Sequence, residues 1–123
     1  MRIVRVDVAG RRKSAESIFV GHVETQTIVD VGRRDLRLIE VHYKDGGRNR
    51  LHTHTTDQIL VITEGEGIVA TSAEEHRVGV GDVAYIPAGE QHWHGAQPGK
   101  DMTHLAINGG ASKTTIVDRP EAT

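Results

Sequence analysis

Short apolar runs, many of them alternating with polar residues, divide most of the chain into segments of strand length. Such runs occupy residues 2–8, 18–30, 36–43, 92–96 and 102–107. Period-two alternation and β-branched residues are typical of strands, and no segment combines a long 3.6-residue period with helix caps. Glycine-containing turns separate the runs. The pattern therefore predicts an all-β protein, folded as an antiparallel sandwich or a small barrel.

The same pattern makes three finer predictions. Residues 58–71 read QILVITEGEGIVAT, two apolar runs on either side of a glycine-rich step, and predict a hairpin that turns at EGEG. Residues 2–8 predict an N-terminal strand with apolar side chains that need a cover. Residues 36–43 would give Leu36 and Leu38 to the interior or to the opposite sheet.

Composition narrows the possible partners. The 123 residues suit one domain, taken as residues 1–123, and the 15 basic and 17 acidic residues give a net charge of −2. This balance disfavours a nucleic acid or a membrane surface as partner. Cysteine is absent, which excludes disulfides and thiolate chemistry. With no signal pattern and no run near 18 apolar residues, we expect a soluble, cytoplasmic protein.

The histidines indicate that the predicted barrel contains a metal site. His52 and His54 are two apart in a strand-like run and project from one face, as do His92 and His94. Gln58 can reach the same space if the chain bends at residues 55–57. Three imidazoles and an amide oxygen around one point suit a divalent transition metal ion.

The full spacing of these residues resembles two motifs of the cupin superfamily. Gly46 is followed after five residues by His52-x-His54, after three by Gln58 and after six by Gly65. Fifteen residues later the chain has Gly81, five residues, Pro87-x-Gly89, two residues and His92. The motifs of that superfamily are written G(x)5HxH(x)3-4E(x)6G and G(x)5PxG(x)2H(x)3N. Glycine and proline at these places also have an ordinary function in making turns.

This resemblance implies a cupin-type double-stranded β-helix, that is, a jelly-roll barrel. It implies a metal-binding core at about residues 36–108 and leaves 109–123 as a polar C-terminal tail. It also implies one divalent transition metal per chain, which could be Mn, Fe, Ni or Zn. The implied metal ligands are His52, His54, Gln58 and His92. The strings HWHGA and MTHLAI further resemble a subgroup of small cupins that includes manganese-dependent hydroxynitrile lyases and cupins associated with carboxymuconolactone decarboxylase-like proteins.

The chain departs from the superfamily pattern at two positions. Gln58 stands where a glutamate is more common, and a neutral amide leaves the metal its full double charge. That favours Lewis-acid chemistry over oxidation of the metal, because no carboxylate offsets the added charge. Ala96 replaces the asparagine that ends the second motif, a position that is not a ligand in the superfamily.

Two further histidines are candidate catalytic groups. His94 shares a face with His92, and His104 lies on a run expected to be a neighbouring strand. Either could act as general acid or base, because histidine titrates near neutral pH. Either could instead be a hydrogen-bond partner of a metal ligand, or a satisfied interior histidine. His22, His42 and His76 are expected to be ordinary hydrogen-bonded residues.

These observations leave three main classes of function open. A storage or structural role is a fourth class, which the size of the chain and the complete metal motif disfavour. The first is a metal-dependent lyase or isomerase acting on a small substrate that bears a carbonyl or hydroxyl group. The second is a metal-dependent dioxygenase, and the third is a non-catalytic module that binds a small molecule. In each case the partner is a small molecule, and we expect the chain to form a homodimer that covers the apolar N-terminal segment.

Overall fold

A computed structural model describes residues 1–30, 32 and 35–117 of the chain. Apart from one short 3₁₀ turn at Val8–Gly10, the regular structure in these residues is strand, so the predicted all-β class is confirmed. The strands are β1 (Arg12–Lys13), β2 (Phe19–Asp30), β3 (Leu36–Asn49), β4 (His52–His54), β5 (Gln58–Thr71), β6 (Glu75–Gly79), β7 (Val83–Ile86), β8 (His92–Ala96), β9 (Met102–Gly109) and β10 (Thr114–Ile116). No helix within them is long and apolar enough to cross a membrane.

Four antiparallel strands close the sheet into a barrel. The first half of β5 pairs with β9, and its second half pairs with β8. Strand β3 pairs with β9 and also meets β8 at Arg48 and Gly95, which completes the circuit β3–β9–β5–β8. Strands β2 and β1 extend the sheet beyond β3, while β4 and β10 extend it beyond β8. This closed barrel confirms the jelly-roll architecture that the resemblance to cupins implied.

The hairpin predicted at residues 58–71 is wrong. These residues form one continuous bent strand, β5, which leaves β9 and then pairs with β6 and β8. Gly65 has a φ of +75°, and a Cβ there would collide with the backbone oxygen of Asp101. A Cβ on Gly67 would lie 2.7 Å from the backbone oxygen of Gly95. The two glycines therefore let neighbouring backbones approach a bend, and do not reverse the chain.

Two other predictions also need correction. The N-terminal strand predicted at residues 2–8 does not form, and this segment is exposed and without regular structure up to the 3₁₀ turn. Leu36, which was expected to face the interior or the opposite sheet, is 66% exposed. The other face of β3, with Val41 and Tyr43, is buried. Alternation defines two faces of a strand, but burial is decided by the strands that pack against them.

The barrel interior has an apolar part and a polar part. One apolar cluster centres on Val23, Tyr43 and Met102, and a second one centres on Leu60 and Ile86. An unusual number of polar side chains are buried with them. These are Glu40, Asn49, His52, Gln58, His92, His94, Thr103, His104 and Asn108. Buried polar groups are unfavourable unless they are paired or bind a ligand. Glu40 pairs with Arg11 and Thr103 lies beside His42, so the other seven mark the candidate site.

The tail predicted at residues 109–123 contributes a strand to the sheet. Thr114–Ile116 pair antiparallel with β4, and Thr114 lies directly opposite His54. Residues 118–123 lie outside the described residues. The tail therefore supports the strand that carries two of the predicted metal ligands.

Candidate metal centre and its cavity

Three predicted ligands meet at one point inside the barrel. His52 and His54 lie on β4, and His92 lies directly opposite His52 on β8. The ring centroids of His52 and His92 are 4.3 Å apart, and those of His52 and His54 are 4.8 Å apart. One nitrogen from each ring lies within 4.8 Å of the other two. These three histidines can hold one metal ion.

Backbone oxygens orient two of the rings. His52 Nδ1 lies 2.6 Å from the carbonyl oxygen of Arg50, and His92 Nδ1 lies 2.8 Å from that of Glu90. A carbonyl oxygen can only accept, so each Nδ1 carries the hydrogen and each Nε2 carries a lone pair. His54 Nδ1 lies 2.9 Å from the hydroxyl oxygen of Thr114. Such contacts to the outer nitrogen are typical of metal-binding histidines.

Burial keeps the three imidazoles neutral. It lowers the pKa of His52 to about 3 and that of His54 to about 4, and it also lowers the pKa of His92. The positive charge of nearby Arg37 further lowers the pKa of His54. A neutral ring can donate its Nε2 lone pair to a metal, whereas a protonated ring cannot.

Gln58 completes the cluster from β5. Its Nε2 donates to Asn108 Oδ1 at 3.0 Å, which places its Oε1 3.1 Å from His92 Nε2. Because His92 carries its hydrogen on Nδ1, this close pair consists of two lone-pair atoms. The Nε2 atoms of His52 and His54 are buried and have no hydrogen-bond partner among the described residues. A cation between these four atoms would satisfy all of them, so the residues present fit a divalent metal.

The two predicted catalytic histidines form a second cluster with a tyrosine. Tyr43 donates its hydroxyl hydrogen to Asn49 Oδ1, and the hydroxyl oxygen lies 3.0 Å from His94 Nδ1 and 3.2 Å from His104 Nε2. Those two ring nitrogens are 3.0 Å apart. Burial lowers the pKa of His104 to about 3, lowers that of His94 well below its usual range and raises that of Tyr43. The cluster is therefore neutral, and its ring nitrogens can exchange one proton.

A cavity of about 180 Å³ joins the two clusters. Its charged residues are Arg37 and the exposed Glu16. A larger groove of about 450 Å³ lies along β6 and β7 and is lined by only one of the six candidate site residues, His92. The smaller cavity is lined by Glu16, Ile18, Phe19, Thr25, Thr27, Arg37, Ile39, Val41, Asn49, His54, Gln58, His94, His104, Ala106 and Asn108.

The structure thus brings together all six predicted site residues. The histidines that were expected to be ordinary hydrogen-bonded residues lie outside this site. His22 pairs with Glu24 at 2.7 Å, and His42 Nδ1 lies 2.6 Å from the hydroxyl oxygen of Thr103. Sequence reasoning missed several residues of the site, because no motif position marks them. They are Arg37, Tyr43, Asn49, Asn108 and Thr114. Only their strand positions could have indicated them, because each lies on the same strand face as a predicted site residue or on a strand opposite one.

Comparison with known protein families identifies the family of this chain. The family model of the cupin domain matches residues 39–108, the segment that carries both motifs and all six residues. The chain belongs to the cupin family. The resemblance inferred from the histidine and glycine spacing is confirmed.

Three proteins illustrate what this cupin is similar to. An (R)-mandelonitrile lyase of Granulicella tundricola is 34% identical over 111 residues, which span 87% of this chain and 83% of that protein. A cupin-like protein of Thermotoga maritima is 26% identical with a TM-score of 0.84, covering 95% of this cupin and 92% of its own chain. The polyketide cyclase RemF of Streptomyces resistomycificus shares the fold at 20% identity, with a TM-score of 0.81 and coverages of 98% and 89%.

Proposed function

We propose that this cupin is a metal-dependent lyase that acts on a small hydroxyl- or carbonyl-bearing substrate. The observation that carries the proposal is the neutral His94–His104 pair, which opens onto the same cavity as His54 and Gln58. A proton-transfer group beside a Lewis-acid site is the combination that such chemistry needs. The 34% identity to an (R)-mandelonitrile lyase supports a lyase over the other classes.

His52, His54, Gln58 and His92 would hold one divalent ion. All four ligand atoms are neutral, so a bound ion keeps its double charge and supplies Lewis-acid polarisation of a substrate oxygen. The same neutrality disfavours a higher oxidation state, and for that reason we place the lyase ahead of the dioxygenase. We expect this ion to be Mn, Fe, Ni or Zn.

His94 is the group best placed to move a proton. Its Nδ1 lies beside Tyr43 and His104, and its Nε2 is buried without a partner among the described residues. When Nδ1 carries the hydrogen, Nε2 has a lone pair that can accept a proton from substrate. Tyr43 and His104 then stabilise the positive ring by accepting hydrogen bonds from Nδ1. His104 acts with His94 as one proton-sharing unit.

Cleavage of a hydroxynitrile illustrates the step. The hydroxyl proton of the substrate passes to His94 Nε2, and the oxygen lone pair forms the carbonyl double bond. The bond between that carbon and the nitrile carbon breaks, and its electron pair leaves with cyanide. Return of the proton from His94 yields an aldehyde and hydrogen cyanide, so atoms and charges balance.

The test begins with elemental analysis of the purified protein and an assay of aldehyde release from (R)-mandelonitrile. We expect about one metal ion per chain, and His94→Ala should lower turnover by about 10²–10⁴-fold while metal content stays near normal. His76→Ala, which removes an exposed histidine, is the matched control. Full turnover by His94→Ala would overturn its role. Activity that requires oxygen would favour a dioxygenase, and binding without turnover would favour a non-catalytic module.

A further inference from the structure

Two buried hydrogen-bond donors on neighbouring strands line the cavity and find no acceptor within the part of the chain that the structure describes. Arg37 Nε and Asn108 Nδ2 are buried and have no partner among the described residues. Arg37 on β3 is directly opposite Asn108 on β9, and such cross-strand pairs place their Cβ atoms about 4.5–5.5 Å apart. Both residues line the cavity that contains His54 and Gln58. The two donors therefore form one polar corner beside the candidate metal centre.

No carboxylate of the described residues neutralises Arg37. Glu16 lines the cavity and Asp30 is the cross-strand neighbour on β2, yet both are exposed and neither forms an ion pair with Arg37. A guanidinium with a buried, unpaired nitrogen is unfavourable unless an anion joins it. The orientation of the Asn108 amide is also restricted, because its Oδ1 already accepts a hydrogen bond from Gln58 Nε2.

The charges of the cavity also favour an anionic ligand. A divalent ion with four neutral ligands adds two positive charges to the one on Arg37, while His94 and His104 are neutral. We propose that Arg37 and Asn108 bind a carboxylate of the substrate. This inference rests on the proposed function and names its substrate class: a small 2-hydroxy- or 2-oxo-carboxylate whose hydroxyl or oxo oxygen faces the metal ligands.

The shape of both partners supports this class. The planar fork of a guanidinium matches the two oxygens of a carboxylate, and the Asn108 amide adds a third donor from the neighbouring strand. Ile39, Val41 and Ala106 provide apolar walls for the rest of the molecule, and about 180 Å³ limits it to a small one. A neutral hydroxynitrile would leave both donors unpaired, so it should bind less well than a carboxylate of equal size.

Lactate and its neutral isostere lactamide are the probes that test the inference. Isothermal titration calorimetry on the metal-loaded protein would give both dissociation constants, and elemental analysis would give metal content. The wild type should bind lactate roughly 10–100-fold more tightly than lactamide. Arg37→Gln should abolish this preference with unchanged metal content, and Arg37→Lys should restore part of it. Arg77→Gln removes an equal charge from the exposed strand β6 and should change nothing.

Each outcome bears on a different proposal. Equal binding of lactate and lactamide by the wild type, or undiminished preference in Arg37→Gln, would overturn the carboxylate site. Absence of metal with the lactate preference intact would reject the lyase and keep the carboxylate site. Full metal content and cleavage of (R)-mandelonitrile with no lactate preference would keep the lyase and reject the carboxylate site.

Discussion

Asn108 determines which end of the Gln58 side chain faces the three histidines. The two residues are cross-strand partners on β9 and β5, and the Gln58 amide nitrogen donates to Asn108 Oδ1 at 3.0 Å. An amide can present either its oxygen or its nitrogen, and only the oxygen can bind a metal. A residue that does not touch the metal thus decides whether Gln58 can serve as its ligand.

Replacing Asn108 should therefore weaken metal binding without removing a ligand. We expect Asn108→Ala to raise the dissociation constant for Mn²⁺ by about 10–100-fold, as is usual when the partner of a ligand is lost. Asn108→Asp keeps an acceptor for the Gln58 amide and should stay within a few-fold of the wild type. Competition with a fluorescent chelator measures both, and wild-type affinity in Asn108→Ala would refute this role.

Gln58→Glu tests the neutral ligand set. A carboxylate in place of the amide should tighten metal binding by about tenfold, because an anionic ligand attracts the cation. The same negative charge should lower turnover by about tenfold, because it weakens Lewis-acid polarisation. Gln97→Glu adds an equal charge outside the cavity and should alter neither quantity. Faster turnover in Gln58→Glu would contradict this interpretation of residue 58.

The contact between Thr114 and His54 should contribute to metal affinity. Thr114→Val keeps the shape of the side chain but removes the hydroxyl that lies 2.9 Å from His54 Nδ1. The ring then loses its outer hydrogen bond, and we expect metal affinity to fall by about tenfold. Thr115→Val on the other face of the same strand is the matched control. Equal affinities of the two variants in a chelator titration would show that the contact has no effect.

Two tyrosines should differ sharply in their effect on stability. Tyr43→Phe leaves Asn49, His94 and His104 short of a partner in a buried cluster, so we expect a loss of about 1–3 kcal/mol in the free energy of unfolding. Tyr85→Phe removes an exposed hydroxyl bonded to Asp57 and should cost less than about 1 kcal/mol. Urea unfolding of the metal-free proteins measures both values. Equal losses would mean that the Tyr43 cluster adds nothing to stability.

The exposed apolar side chains favour the expected homodimer. Val83 and Tyr85 on β7 are each 62% exposed, and Ile3 and Val8 of the N-terminal segment are 78% and 66% exposed. A second copy of the chain could cover these side chains, and on this ground we propose a homodimer. Light scattering should give twice the chain mass of 13.4 kDa. Val83→Lys should shift the protein toward the monomer, and a monomeric wild type would refute the prediction.

Local sequence patterns predicted the candidate metal ligands, because these depend on spacing along the chain. The two-residue interval between His52 and His54, and the turn residues before His92, fix which side chains project together, so these ligands could be found without a structure. Arg37 could not be placed, because alternation along residues 36–43 does not say which face is inward. The contacts of Tyr43 with His94 and His104 depend on pairing between strands far apart in sequence. The continuity of β5 past Gly65 also depends on distant backbone, that of Asp101 and Gly95.

The position of β4 has a consequence for the order in which the candidate site can form. This three-residue strand lies between β8 and β10, so its histidines are held by segments that follow it by some 40 to 60 residues in the chain. A ribosome that has just completed β4 has made two of the three histidines but neither of the strands that position them. The three candidate ligands can therefore be held at one point only after folding has brought β8 and β10 to β4.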